Sequence, residues 1–224
     1  MKLIILDKTE STNDCVAAYK DCGEDTAVFA YEQTGGRGSK GRSFSSPRGG
    51  IYLSFVKHYY GLKAENAYEV TKGISVAVAL TLRAYGVKAE IKWPNDIFVG
   101  GKKICGMLTE NKIENGFVRY TICGVGININ NDLPDELKGI AVSAKEILGK
   151  PLDLFAVLNT LIYNIEHAAD KSLYPKLSCV IGRRVLIAEP RKDAYEATVE
   201  EILADGRLKT ASGEVLANAE IKLI

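Results

Sequence analysis

The sequence predicts an α+β fold, with a mixed β-sheet and flanking helices followed by a small all-β unit. Two-residue glycine turns join apolar, strand-like segments between residues 89 and 130, which is typical of antiparallel neighbours. Apolar residues recur at helical spacing over residues 66–85, and beyond residue 180 the chain changes to short strands with tight turns. We therefore expect two domains, at residues 1–177 and 178–224.

Composition limits what the chain can be. Its 224 residues are 46% hydrophobic, enough for a sizeable core, and its formal net charge of +1 gives no reason to expect a nucleic-acid or membrane partner. The five cysteines form no C-x-x-C pair and only two histidines accompany them, which favours reduced thiols in a cytoplasm over disulfides or a zinc site. The N-terminal apolar run is too short for a signal peptide.

The first elements are two strands with a helix between them. Residues 3–6 form a short apolar strand, and the polar run 11–14 then supplies N-cap residue types ahead of a helix that Gly23 ends. Residues 26–32 and 51–57 are β-rich and predict two further strands. The polar run has two interpretations: simple capping, or side chains that face a ligand at the helix N-terminus.

A glycine-rich basic segment, residues 33–52, lies between those two strands. It holds six glycines, four cationic side chains and no acid, which favours a loop that binds phosphate or carboxylate through backbone N–H groups and guanidinium forks. We call this segment the basic loop. A flexible surface loop and an Arg/Gly-rich segment that binds phosphates without specificity are the alternatives.

The remaining elements follow from periodicity and turn signals. A helical stripe over residues 66–85 ends before Gly86, and strands follow on both sides of a turn at residues 94–96, with Pro94 marking an irregular or exposed edge. Residues 116–130 form a nearly continuous apolar strand. Helices are predicted at 143–148 and 152–169, and the tail fits a small β-barrel of five short strands.

Four blocks of the chain stand in a recognisable order: Glu10-Ser11-Thr12-Asn13; Gln33 through Gly36-Arg37-Gly38 to Ser46-Pro47; Lys92-Trp93-Pro94-Asn95-Asp96 with Lys103 and Gly106; and Gly124-Val125-Gly126-Ile127-Asn128. This order resembles the catalytic domain of biotin–protein ligases, which has the fold of class II aminoacyl-tRNA synthetases. The tail resembles the family's SH3-like domain. The chain resembles the ligase-only form, because nothing like the helix-turn-helix domain of larger members precedes the first strand.

The resemblance implies an enzyme that joins biotin to ATP, forms biotinyl-5′-AMP and pyrophosphate, and transfers biotin to a lysine of a biotin carboxyl carrier protein. It implies biotin and ATP as substrates, Mg²⁺ with the phosphates, and a homodimer; neither DNA nor a membrane is expected as a partner.

Residue roles carried over from the blocks divide into three groups. The catalytic residues are Lys103 and Arg37, cations that offset the repulsion between a carboxylate and a triphosphate. The biotin-binding group is Ser11, Thr12, Asn13, Gln33, Gly36, Arg37, Gly38, Ser39, Lys103 and Gly106. The ATP-binding group is Arg42, Phe44, Asn95, Asp96 and Asn128. No metal ligands are assigned, although Asp96 is a possible partner for Mg²⁺.

One position departs from the family pattern. Many members read G-R-G-R where this chain has Gly36-Arg37-Gly38-Ser39, so the second arginine is missing. Two outcomes stay open: Lys40 or Arg42 takes over its charge, or the reactive adenylate is retained more loosely. Lys102 is expected to point to the opposite face of its strand from Lys103. Trp93 is expected in the core or the wall of the site, and Phe44 is expected to order the basic loop over the nucleotide.

Three other functions remain possible from the sequence. A lipoate–protein ligase would share fold and chemistry, but its R-R-x-x-G-G-G run and following histidine are missing from the loop block. A non-catalytic biotin or nucleotide sensor would keep the binding residues without turnover. A nucleic-acid-binding module is disfavoured by the balanced charge.

Overall fold

The computed structural model describes residues 1–167, 169–217 and 219–224, and for Lys40 the backbone alone. Four short 3₁₀ turns lie within these ranges, at Ser39–Gly41, Ala64–Asn66, Asp135–Leu137 and Lys171–Leu173. The helices are α1 Thr12–Ala17, α2 Tyr68–Ala84, α3 Ala144–Leu148, α4 Leu154–Glu166 and α5 Tyr174–Leu177. No helix in the described ranges has the length and apolar character needed to cross a membrane.

Seven strands form one large sheet: β1 Lys2–Leu6, β2 Thr26–Ala30, β3 Ile51–His58, β4 Glu90–Lys92, β5 Asp96–Val99, β6 Lys102–Glu114 and β7 Phe117–Ile127. Their order is β1-β2-β3-β7-β6-β5-β4. Strands β1 and β2 are parallel and all other neighbours are antiparallel, which confirms the predicted mixed sheet. The predicted hairpin turns are present, with left-handed backbone at Asn115 (φ 51°) and Gly116 (φ 80°).

The two faces of this sheet differ. One face is covered by α2 and α4, and the helical stripe of Val70, Ile74, Val78 and Leu82 is buried there. Among the described helices, α1 lies on the other face, over a small apolar cluster of Val16, Val28, Val56 and Ile122. The candidate site is found on this second face, beside α1 and over β6 and β7.

Helix α1 is shorter than predicted. It ends at Ala17, and residues 18–23 form turns rather than a continuation to Gly23. Residues 20–24 are exposed, so this stretch buries no apolar face. Because most helical stability comes from packing such a face, a helix here has nothing to stabilise it.

The C-terminal unit is an antiparallel sheet of five strands, β8 Arg184–Ala188, β9 Tyr195–Ile202, β10 Leu208–Thr210, β11 Val215–Leu216 and β12 Glu220–Leu223. This sheet is consistent with the predicted SH3-like unit, but it does not close into the predicted small β-barrel. The described pairings run in one line, β11-β10-β9-β8-β12, and none joins β11 to β12. Strands of two and three residues at one end offer too few ladder hydrogen bonds to close the sheet. The division at residue 178 stays a prediction.

Trp93 connects the two sheets. It lies in the turn between β4 and β5, is 4% exposed, and packs in the hydrophobic core of the C-terminal sheet. Its indole Nε1 donates to the carbonyl of Gly206 at 2.8 Å. The expectation that Trp93 serves as core is confirmed, and the Trp93 contact fixes the C-terminal sheet beside the β4–β5 turn.

Stability is expected to fall at alkaline pH because three thiols are buried. All five cysteines are free, and burial raises the pKa of Cys123 to about 12 and that of Cys179 to about 11. Above roughly pH 8.5 the unfolded chain releases thiol protons that the folded chain keeps, so each such thiol lowers the free energy of unfolding by ~1.4 kcal/mol per pH unit until its folded pKa is reached.

Urea unfolding of Cys123→Ala and wild type at pH 7.5 and 9.5 tests this pH dependence. The variant is expected to lose less stability than wild type on going to the higher pH. Cys22→Ala, which removes an exposed thiol, is the matched control. Equal losses in Cys123→Ala and wild type would contradict the explanation.

Candidate active site

Glycine backbone forms the floor of the site. Gly106 on β6 and Gly124 and Gly126 on β7 point to the same face of the sheet, where larger residues would carry side chains. A Cβ atom added at Gly124 would lie 2.3 Å from Asn13 Oδ1, and one at Gly126 would lie 2.6 Å from the Phe44 ring. A side chain at Gly124 or Gly126 is thus excluded, and neighbouring groups approach the bare sheet closely there.

A cavity lies over this floor, with about 490 Å³ of empty space including its mouth. We call it the sheet cavity. Eleven residues assigned to ligands from the sequence line it: Ser11, Thr12, Asn13, Gln33, Arg37, Gly38, Ser39, Phe44, Asp96, Lys103 and Gly106. Six further residues complete the lining: Ser54, Met107, Leu108, Gly124, Val125 and Gly126.

Polar groups at the start of α1 form the inner end of the sheet cavity. Ser11 occupies the N-cap position but its side chain makes no capping hydrogen bond, so the interpretation of this run as simple capping fails for Ser11. Thr12 donates to Gln33 Oε1 from its backbone N at 2.8 Å and from Oγ1 at 2.9 Å. Gln33 Nε2 donates to Ser46 Oγ at 2.9 Å. Gln33 therefore ties α1 to the basic loop.

Cationic side chains line the more exposed part of the sheet cavity. Lys103, at the start of β6, places Nζ 2.7 Å from Asp96 Oδ1, and both side chains are about one-third exposed or less. Arg37 in the basic loop pairs with Asp14 in the first turn of α1. Each cation thus has a carboxylate partner before any anionic ligand arrives. Such pairs hold the two side chains near the cavity while contributing only ~0–1 kcal/mol to stability.

A second depression of about 750 Å³ adjoins the sheet cavity, between the β4–β5 turn and the C-terminal sheet. We call it the adjoining cleft. Arg42 and Lys92 supply its cations, and Ser39 and Asp96 line both depressions. Arg42 pairs with Glu220 of β12 at 3.1 Å. Burial lowers the pKa of Lys92, and the Asp96 carboxylate opposes that shift. Two compartments with cationic walls therefore meet at Ser39 and Asp96.

Four predicted ligand residues lie outside the sheet cavity. Arg42 and Asn95 line the adjoining cleft, and Asn95 Nδ2 donates to the carbonyl of Met107 at 2.6 Å. Gly36 packs inside the basic loop, where its carbonyl accepts from Phe44 N at 2.8 Å. Asn128 is 4% exposed and accepts from Asn131 Nδ2 at 3.1 Å. The ligand roles of these four residues stay predictions, as do those of the eleven that line the sheet cavity.

Ser54 and Lys92 are among the lining residues that were not assigned to ligands from the sequence. Ser54 lines the sheet cavity, and Lys92 lines the adjoining cleft. Alternation in residues 51–57 sets Ser54 on the opposite face from its neighbours, but one serine in an apolar strand carries no ligand signal. Lys92 begins the Lys92-Trp93-Pro94-Asn95-Asp96 block, and its position there was a usable signal.

Lys102 points away from the sheet cavity, with Nζ 3.9 Å from Glu146, as alternation predicted. Phe44 lies across Gly106 and Gly126 of the floor and edge-on to Tyr52, with ring centroids 6.4 Å apart. The side chain of Lys40, one of the two candidates to compensate for Ser39, lies outside the described residues.

The model of the biotin/lipoate A/B protein ligase family matches residues 5–128, which is more than half of the chain and includes the whole lining of the sheet cavity. The chain belongs to this family. A curated relative, the bifunctional ligase/repressor BirA of Bacillus subtilis (strain 168), is 36% identical over 167 residues, 72% of this chain and 51% of the relative. This family member therefore spans about half the length of that relative.

Two longer matches extend through the C-terminal sheet. The biotin–[acetyl-CoA-carboxylase] ligase of Mycobacterium tuberculosis (strain ATCC 25618 / H37Rv) is 27% identical over 227 residues, covering 92% of this chain and 82% of the relative. The solved biotin protein ligase of Aquifex aeolicus in complex with biotin and ATP superposes with a TM-score of 0.82 at 24% identity, covering 100% of this chain and 99% of that one. At that identity the likeness establishes the biotin ligase fold, which confirms the predicted fold class.

Proposed function

We propose that this chain is an ATP-dependent biotin–protein ligase, which activates biotin as biotinyl-5′-AMP and transfers it to a lysine of a biotin carboxyl carrier protein. One observation carries the proposal: the sheet cavity, polar at its inner end and cationic at its mouth, opens beside the adjoining cleft at Ser39 and Asp96. A carboxylic acid bound in the first compartment would present its carboxylate to a nucleotide bound across the second.

Each compartment suits one substrate. In the sheet cavity, the amide and hydroxyl groups of Thr12, Asn13 and Gln33 match the N–H and C=O groups of a cyclic urea, and Phe44 and Leu108 supply apolar wall for a ring and chain. In the adjoining cleft, Arg42 and Lys92 suit phosphates. The family model covers biotin and lipoate ligases alike, and this polar inner end favours the ureido ring of biotin over the apolar dithiolane of lipoate.

The chemistry requires two anions to react. A carboxylate oxygen of biotin attacks the α-phosphorus of ATP, the bond to the bridging oxygen breaks, and pyrophosphate leaves. Lys103 and Arg37 lower the repulsion and stabilise the charge that gathers on the phosphoryl oxygens. The acceptor lysine, as a neutral amine, then attacks the acyl carbon and AMP leaves. The enzyme itself supplies no nucleophile in either step.

Magnesium would act here through the phosphates. Within the described ranges no three His, Cys, Asp or Glu side chains cluster to hold a metal ion. Mg²⁺ is commonly held by one or two carboxylates together with substrate phosphates and water, and Asp96, which lines both compartments, fits that role. When bound, the ion would neutralise phosphate charge. Arg42 and Lys92 would share that task in the adjoining cleft.

The proposal is tested by incubating a carrier domain with the protein, biotin and ATP and measuring the carrier's mass. Addition of one biotinyl group to one lysine is expected. A pyrophosphate assay on the same samples separates the ligase from a non-catalytic sensor, which would bind biotin and ATP without turnover. Lipoate in place of biotin provides the matched substrate control; transfer of lipoate but not biotin would overturn the proposal.

Arg42→Ala is expected to slow adenylate formation about tenfold or more, because a charge-assisted contact to phosphate would be lost from the adjoining cleft. The KM for ATP should rise and the KM for biotin should stay unchanged, as measured by pyrophosphate release. Arg48→Ala is the control: Arg48 also lies in the basic loop, but it pairs with Asp7 and lines neither compartment. Unchanged kinetics in Arg42→Ala would reject Arg42 as the substitute for the arginine missing at Ser39.

We infer a homodimer that binds no DNA, with the carrier protein as its macromolecular substrate. Sedimentation of the purified protein tests the dimer. A DNA-binding assay at low salt tests the second point, since nonspecific DNA binding is strongest there.

A further inference from the structure

Ser54 places a buried hydroxyl on the floor of the sheet cavity. The residue is 0% exposed, lies on β3, and lines the cavity beside Gly124. Its Oγ lies 2.7 Å from Thr12 Oγ1 and donates to Asn13 Oδ1. Both contacts go to residues at the N-terminus of α1. Ser54 is therefore joined to two ligand-facing side chains.

The hydroxyl groups of Thr12 and Ser54 have too few protons for all of their contacts. A hydroxyl group has one proton to donate. Thr12 gives its proton to Gln33 Oε1, and Ser54 gives its proton to Asn13 Oδ1. The 2.7 Å contact between the two hydroxyl oxygens then has no proton left. Without ligand, three contacts share two protons.

A ligand with an N–H group resolves this shortage. If such a group donates to Asn13 Oδ1 in place of Ser54, the Ser54 proton can turn to Thr12 Oγ1, and the acceptors Asn13 Oδ1, Thr12 Oγ1 and Gln33 Oε1 then have one donor each. The same chain continues from Gln33 Nε2 to Ser46 Oγ, and from Ser46 Oγ to the carbonyl of Phe44 at 2.9 Å. The direction of each hydrogen bond, from the floor to the basic loop, is then fixed.

We propose that Ser54 is a positioning residue that makes the sheet cavity select a ring with an N–H donor, such as the cyclic urea of biotin. Ser54 acts through Asn13 and Thr12 by deciding which of them has an acceptor available for the ligand. This inference rests on the proposed function, because it concerns how the biotin-binding compartment recognises its ring.

The test compares Ser54→Ala with Ser75→Ala. Ser75 is equally buried, on α2, and donates to the carbonyl of Thr71 at 2.8 Å, so its variant loses a buried hydroxyl outside the site. Pyrophosphate release gives kcat and the KM values for biotin and ATP. Two biotin analogues, each methylated on one ring nitrogen, give the preference for an N–H donor.

In Ser54→Ala the KM for biotin is expected to rise about tenfold, the effect of one lost hydrogen bond of ~1.4 kcal/mol, while the KM for ATP is unchanged. The preference for biotin over at least one analogue should fall by a similar factor, and Ser75→Ala should change neither quantity. If Ser54→Ala fails to fold, Ser54→Cys keeps the volume with a weaker donor and takes its place.

A Ser54 variant with the KM and analogue preference of Ser75→Ala would overturn the inference. A rise in KM for biotin with unaltered analogue preference would also overturn it, since that indicates only a structural role. Failure of the proposed function looks different: the wild-type protein would then release no pyrophosphate with biotin and ATP.

Discussion

Lys103→Ala is expected to lose most of its adenylation activity, by ~10²–10³-fold or more, while remaining folded. Lys103 Nζ lies at the meeting point of the two compartments, 2.7 Å from Asp96 Oδ1. Its removal takes away a fixed cation and leaves the Asp96 carboxylate facing two anionic substrates. Because the pair is partly exposed, its loss should change stability by ~0–1 kcal/mol. Biotin-dependent pyrophosphate release and thermal unfolding measure the two effects.

Lys102→Ala is the matched control for this experiment. The neighbouring lysine points to the other side of the strand, near Glu146, and should retain wild-type turnover. The double variant Lys103→Ala with Asp96→Asn separates two explanations. Recovery of activity in the double variant would mean that Lys103 mainly neutralises Asp96, whereas continued loss would place Lys103 against the reacting groups. Wild-type turnover in Lys103→Ala would remove it from the mechanism.

Gly124→Ala is expected to raise the KM for biotin by ~10²-fold or more and to lower stability by ~1–3 kcal/mol, the usual cost of overpacking a filled site. The new Cβ would lie 2.3 Å from Asn13 Oδ1 and 3.1 Å from Asn13 Cγ. Asn13 is 8% exposed at the start of α1, so it cannot move without disturbing Thr12 and Ser54 beside it. Pyrophosphate release at varied biotin concentration and thermal unfolding give both quantities.

The control for a glycine-to-alanine change is Gly73→Ala on α2. A Cβ atom added at Gly73 would lie 3.4 Å from Lys171 Cε, an ordinary van der Waals contact. Alanine stabilises a helix by ~0.5–1 kcal/mol relative to glycine. This variant should be slightly stabilised with unchanged biotin KM. If Gly124→Ala bound biotin as tightly as Gly73→Ala, the bare glycine floor would not be needed for the ligand.

The family blocks predicted most of the sheet cavity, because each block is local in the chain and combines residue types with a clear physical use. Arg37, Lys103 and Gln33 were assigned from such blocks, and all three line the sheet cavity. Ser54 could not be assigned in this way. Its neighbours in sequence are apolar, and its role comes from Thr12 and Asn13, more than 40 positions earlier in the chain.

Strands, helices and hairpins also followed from the sequence, because the spacing of apolar residues and the glycines of turns are signals contained within a few consecutive residues. The Asn115-Gly116 turn and the buried stripe of α2 are examples. Whether five short strands close into a barrel depends instead on pairing between the first and last of them. That pairing joins distant parts of the chain, and local pattern does not encode it.

By itself the sequence determined the mixed sheet and the order of the blocks. It also indicated the cationic and polar residue types that would bind a carboxylate and a nucleotide. Only the tertiary structure decided which of these residues share a compartment. It placed Arg42 in the adjoining cleft with Lys92, and put Ser39 and Asp96 on the boundary between the two compartments. The reason is physical: contacts across a sheet and between two packed units depend on register and docking, which link residues that local periodicity cannot relate.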